Sequence, residues 1–138
     1  MTLQTTMQKL FDEAVAHLGT QRERAVIKRP GLNGSCVYRT EPDPARGGKV
    51  LKCAVGGLIA DEHYKPVLEK FLATNPDITV AIARSLQLPE DEVSNASGLL
   101  TSLQNCHDHN EIEYWPERLR EIAARYKVDP ACIEGSFI

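Results

Sequence analysis

The chain has 138 residues, 42% hydrophobic and 25% charged, a size and balance that suit one domain with a single core and exclude wholesale disorder. No apolar run approaches the ~20 residues needed to cross a bilayer, which excludes a membrane-spanning helix. The net charge of −3 hides an asymmetry: nine Lys/Arg stand against five Asp/Glu through Cys53, and seven against fourteen from Ala54 onward. A basic front and an acidic back favour an anionic ligand near the front, or head-to-tail association that makes a homodimer plausible.

Leu3, Met7, Leu10, Phe11, Ala14, Val15 and Leu18 recur at steps of three and four. That spacing predicts an amphipathic helix over 2–18, ended by Gly19. Asp12-Glu13 interrupts the apolar start that an export signal would need, so the expectation is a cytoplasmic protein with reduced thiols. The four cysteines, Cys36, Cys53, Cys106 and Cys132, are irregularly spaced and make no disulfide framework. Residues 20–35 read as a basic segment leading into loop, punctuated by Pro30-Gly31 and Asn33-Gly34.

Cys36 to Thr40 and Lys49 to Cys53 are rich in strand formers, with two prolines and Gly47-Gly48 between them. The pair predicts a β-hairpin over 36–53 with a long connection, held against helices because a lone hairpin is marginal in water. Cys53-Ala54-Val55-Gly56-Gly57 then presents small side chains that admit close approach. From Pro66 the chain reads as helical. Val67, Leu68, Phe71 and Leu72 form a first short face. Asp77 caps a second helix, and one further helix runs from Pro89 to about Cys106. Pro116 opens the last, and a tail over about 129–138 frays. The predicted fold is therefore a single α+β domain over 1–138, mainly helical, with the hairpin packed on the helices and the 53–59 segment in the core.

These elements admit several chemistries. Cys53 at a strand-to-helix junction, with His107 and Asp108 or Asn110 later in the chain, is the order a thiol hydrolase would allow. The competing reading makes Cys53 a buried packing residue and His107-Asp108 a helix-ending pair held by hydrogen bonds to the hairpin or to the Tyr38 hydroxyl. Cys106, His107 and His109 are candidate metal ligands, joined through the fold by Cys36, Cys53, His63 or Cys132. The C-x-x-C and H-x-x-x-H spacings are missing, and neighbours on a helix diverge by about 100°. No cofactor is expected. His63, His107-Asp108 and Asp129 follow the order of an HD-type phosphohydrolase. The glycine pairs lack phosphate-loop spacing. Glu90, Asp91 and Glu92 would repel phosphates from a helix-turn-helix reading element beginning at Pro89, so nucleic acid is not the expected partner. Tyr114 and Trp115 are a candidate exposed anchor that the core more often claims. The basic hairpin residues Tyr38, Arg39, Lys49 and Lys52 are the candidate ligand contacts.

Tyr38-Arg39, the segment Lys52-Cys53-Ala54-Val55-Gly56 with Leu58-Ile59, Glu62-x-Tyr64, Leu103-Gln104-x-x-His107-Asp108 and Trp115 together resemble a group of small proteins encoded by bacteriophages and prophages. The resemblance spans Leu10 to Tyr126. The connection Glu41 to Gly48 is longer here than in that group, and Gly57 stands where its members have Cys or Ala. The group has no settled activity, so the resemblance implies a setting, a phage accessory protein in the bacterial cytoplasm, and transfers no catalytic role. Together these readings predict a non-catalytic binding protein for a host protein or a small anionic, nucleotide-like ligand, with a hydrolase centred on Cys53 and His107-Asp108 as the alternative.

Overall fold

The apolar stripe at the front of the chain forms helix α1, Leu3–Gln21, around which the other elements assemble. The computed structural model describes residues 2–26 and 37–137; the loop signals at 30–34 and Cys36 lie outside them. Thr2 caps α1 by accepting from the Thr5 amide at 3.1 Å, and Leu10, Phe11, Ala14, Val15 and Leu18 are fully buried. Burying each such side chain contributes about 1.5–3 kcal/mol, so this stripe is a leading source of stability. Gly19 does not end the helix. Arg22 does, in the left-handed conformation, with its amide on Leu18 O at 2.8 Å. Gly19 instead admits the last helix, because a Cβ there would come within 2.5 Å of the Ser136 carbonyl oxygen.

Five further α-helices follow among the described residues: α2 (Pro76–Leu86), α3 (Glu90–Asn95), α4 (Ser97–His109), α5 (Trp115–Tyr126) and α6 (Ala131–Phe137). Asn75, not Asp77, caps α2, leaving Pro76 in the first turn where its missing amide costs nothing. The helix expected to run from Pro89 to Cys106 breaks at Ala96, among the weak helix formers Asn95, Ser97 and Gly98. Residues 66–70 form a short 3₁₀ turn with only Leu68 buried. The expected frayed tail is α6, which lies on α1 and buries Ile133. No helix among the described residues is long and apolar enough to cross a membrane.

The α+β assignment is corrected: helix makes up 67% of the structure and strand only 4%, with no sheet among the described residues, so the domain is helical and the predicted hairpin does not form. Two isolated antiparallel bridges, Arg39 to Lys52 and Asp43 to Lys49, are what the two segments make of their pairing. Side chains explain why no ladder extends. The Tyr38 and Arg39 amides donate to the two carboxylate oxygens of Glu69, at 2.9 and 3.1 Å. The Leu51 amide donates to Thr40 Oγ1 and the Lys52 amide to Gln21 Oε1, each at 2.8 Å. Backbone bonds still join the segments, from Thr40 to Leu51 O, Cys53 to Tyr38 O and Asp43 to Lys49 O, but the Tyr38 and Leu51 amides that would extend the ladder are satisfied by side chains. Strand propensity in 36–40 and 49–53 is therefore real but locally outcompeted.

The 53–59 segment does lie in the core. Cys53, Ala54 and Val55 are fully buried, and Leu58 and Ile59 nearly so. The glycines carry the fit: a Cβ on Gly56 would stand 1.9 Å from the Tyr38 carbonyl oxygen, and one on Gly57 would meet the His17 ring at 2.3 Å. Gly56→Ala is expected to destabilise the fold by at least the roughly 1–3 kcal/mol of an overpacked core. Gly135→Ala in α6, where a Cβ meets nothing, should be neutral or stabilising by up to about 1 kcal/mol. Urea melts giving the two variants equal midpoints would contradict this packing.

Candidate functional site

Near its C-terminus α4 carries a continuous chain of polar contacts. His107 is fully buried, and its ring lies stacked on Trp115, with centroids 5.6 Å apart. The Ala25 amide donates to His107 Nε2 at 2.9 Å, so that nitrogen must present its lone pair and the proton resides on Nδ1. Nδ1–H then donates to Asp108 Oδ1 at 2.8 Å. Gln104, one helical turn earlier, donates to the same carboxylate oxygen at 2.8 Å. The Gln104 side-chain oxygen accepts the Val55 amide at 3.2 Å. Arg24 adds contacts to the His107 and Asp108 carbonyl oxygens. Three stretches distant in sequence, 24–25, 53–57 and α4, are thus tied at one point, since buried polar groups must find partners.

The structure places the proposed hydrolase residues in this network. Cys53 and His107 are fully buried in it, whereas Asp108 keeps 22% of its side chain exposed. The Cys53 sulfur is fully buried and accepts the Gly56 amide at 3.2 Å. Burial pushes its thiol up to about 12, far from thiolate at neutral pH. Burial raises Cys106 and Cys132 to about 12 as well. Both His107 ring nitrogens are occupied, and the Tyr38 hydroxyl, expected as a partner, donates to the Phe71 carbonyl instead. Of the metal candidates, Cys106 lies in the wall between α4 and α5, His107 belongs to the relay and His109 is exposed. Among the described residues no group of three His, Cys, Asp or Glu side chains could hold a metal ion. His63 faces Glu62 at 4.0 Å, while Asp129 caps the start of α6 through the Ala131 amide at 2.9 Å.

The basic residues proposed as ligand contacts are gathered on one side and neutralised in pairs. Asp61 holds Arg39 at 2.9 Å and Lys52 at 3.4 Å; Glu23 holds Arg46 at 2.6 Å and Lys49 at 2.8 Å. Hydrogen bonds from Arg46 and Lys49 pull the Glu23 carboxyl down to about 2, and Lys52 with Arg39 lowers that of Asp61. The Arg39 guanidinium lies over the Tyr64 ring, 4.3 Å from its centroid. Tyr38 is 7% exposed. Trp115 is fully buried and Tyr114 half exposed, so the core takes one member of that pair.

Outside the relay, a cleft of about 340 Å³ opens over Gln104 and Asp108, walled by Tyr38, Glu69, Phe71 and Leu72. The Asp108 side chain is 22% exposed there, making it the outermost group of the relay. Glu69 is braced by the Tyr38 and Arg39 amides and by the Tyr64 hydroxyl at 2.6 Å. Among the described residues, the charged members of the lining are these two carboxylates. Leu72 stands at the lip, 79% exposed, and Val67 is 47% exposed nearby in sequence. Sequence reasoning missed Glu69, a lone acid in a short turn with no spacing to mark it. Gln104 was visible only as the second residue of Leu103-Gln104-x-x-His107-Asp108.

No protein-family profile, curated protein or solved structure matches this chain. Its chemistry is read from the geometry alone. Native protein at neutral pH is expected to leave Cys53 unlabelled by iodoacetamide over hours, with labelling in urea. Rapid modification of Cys53 without unfolding would restore the thiol-hydrolase alternative.

Proposed function

We propose that the chain is a non-catalytic binding protein whose partner is a polypeptide docked in the cleft over Asp108. The observation that carries this reading is Leu72, a large apolar side chain left 79% exposed at the lip of a cleft whose charged lining is Glu69 and Asp108. Scattered exposed leucines are ordinary, but one beside a formed concavity suits an anchor site. The two carboxylates define the complement: a basic side chain entering the cleft, flanked by apolar residues that cover Phe71 and Leu72. Charge pairs that are desolvated at such a site favour specificity and encounter rate as well as affinity.

The burial of Cys53 and His107 supports a binding role over the hydrolase, because neither group faces a space a substrate could enter. The resemblance to phage accessory proteins makes a host protein the natural occupant. A small anion at Arg39 and Lys52 would have to displace Asp61, which already bridges them, and that favours the polypeptide reading.

A panel of displayed random peptides tests the proposal. Selected binders are expected to share a Lys or Arg between apolar residues and to weaken as salt rises. Leu72→Asp, at a site exposed enough to leave the melting temperature unchanged, should reduce their affinity by at least about tenfold, the loss of roughly 1.4 kcal/mol or more expected of an anchor contact. Acidic consensus peptides, or binding indifferent to Leu72→Asp, would overturn it.

A further inference from the structure

A second concavity of about 290 Å³ lies between α4 and α5 and shares Asn105 with the cleft over Asp108. Arg118, Ile122 and Arg125 recur along α5 at steps of four and three, and Ser102, Cys106 and His109 recur the same way along α4. Helical periodicity therefore turns both sets towards one shared groove, and all six line it. The Arg118 guanidinium is held in place. Its Nη1 donates to both Glu121 carboxylate oxygens, at 2.8 and 3.0 Å, and its Nε to Asn110 Oδ1 at 3.3 Å. Its Nη2 makes no hydrogen bond among the described residues. Arg125 has no partner there either, so Glu121 balances only one of the two guanidiniums. His109 and the amide side chains of Asn105 and Asn110 complete a rim rich in hydrogen-bond donors.

Two guanidiniums facing one concavity repel each other, and the cost is offset when an anion lies between them. We propose that the α4–α5 groove is a binding site for a small oxyanion, a phosphate or carboxylate group gripped by Arg118 Nη2 and Arg125, with donors from His109 and Asn105 at the rim. Arg118, oriented by Asn110 and Glu121, supplies a pre-positioned fork, and Arg125 swings in to close it. Ile122 and the protonated Cys106 form a neutral floor that accepts an uncharged portion of the ligand without competing for the cationic groups.

The test is an NMR titration of the ¹⁵N-labelled full chain with inorganic phosphate and, separately, with acetate, each compared with chloride at equal ionic strength. Saturable shifts are expected at the Arg118 and Arg125 side-chain Nε–H signals, with the tighter of the two probes naming the ligand class. Arg125→Gln should weaken binding by about tenfold or more, the loss expected for a hydrogen bond to a charged group. Arg125 is exposed and its side chain has no hydrogen-bond partner among the described residues, so this variant keeps the fold. Arg120→Gln, which removes an exposed pairing with Glu134 on another face, should leave the affinity unchanged. Shifts that do not saturate, that chloride reproduces, or that Arg125→Gln leaves intact would overturn the proposal.

Discussion

A single imidazole with no contact to water fixes the geometry of this domain. His107 accepts an amide proton from Ala25 on one side and donates to Asp108 on the other. Neither bond can be exchanged for one to solvent, because the ring is sealed under Trp115 and the core. Losing either partner would leave a buried donor or acceptor unpaired, at a cost of about 1–3 kcal/mol, against which an isolated surface ion pair contributes little. Gln104 passes the constraint on to Val55, so the backbone at 53–57 is placed by the same helix that holds the histidine.

The packing of the 53–59 segment on α1 follows from that placement. With Cys53 to Ile59 fixed, Gly57 lies beneath the His17 ring, and His17 donates from Nε2 to the Lys52 carbonyl at 2.9 Å. Burial lowers the affinity of His17 for a second proton, which keeps that contact neutral. Gly56 lets the Tyr38 backbone approach the segment, and Tyr38 in turn forms a wall of the cleft. The candidate binding surface is thus a consequence of core packing, with Asp108 belonging to both.

The helical part of the fold was largely legible in the sequence, because the period of three and four in α1 and α5 and the prolines before α2 and α5 report local physics. The hairpin was misread for a reason equally physical. Strand propensity measures how a side chain suits a pleated surface, whereas ladder formation depends on who takes the backbone hydrogens. Here Glu69 takes the Tyr38 amide and Thr40 Oγ1 that of Leu51, and no pattern near 36–53 announces a carboxylate 31 residues away. The burial of Cys53 was readable from the small residues around it. Glu69 and the exposure of Leu72 were not, since a five-residue 3₁₀ turn is too short to declare a face by periodicity and Leu72 lies beyond it, outside any helix. Tyr38, Arg39, Lys49 and Lys52 read as free cations and an aromatic because sequence shows charge without showing its neighbours; Asp61 and Glu23 supply them.

The most direct examination of this account is the tautomer of His107, read from two-bond ¹H–¹⁵N correlations of the imidazole together with hydrogen exchange at the Ala25 amide. The ring is expected to carry its proton on Nδ1, with Nε2 as acceptor, and Ala25 to exchange only through global unfolding. A ring protonated on Nε2, or an Ala25 amide exchanging as fast as an exposed loop, would mean that the central hydrogen bonds do not exist.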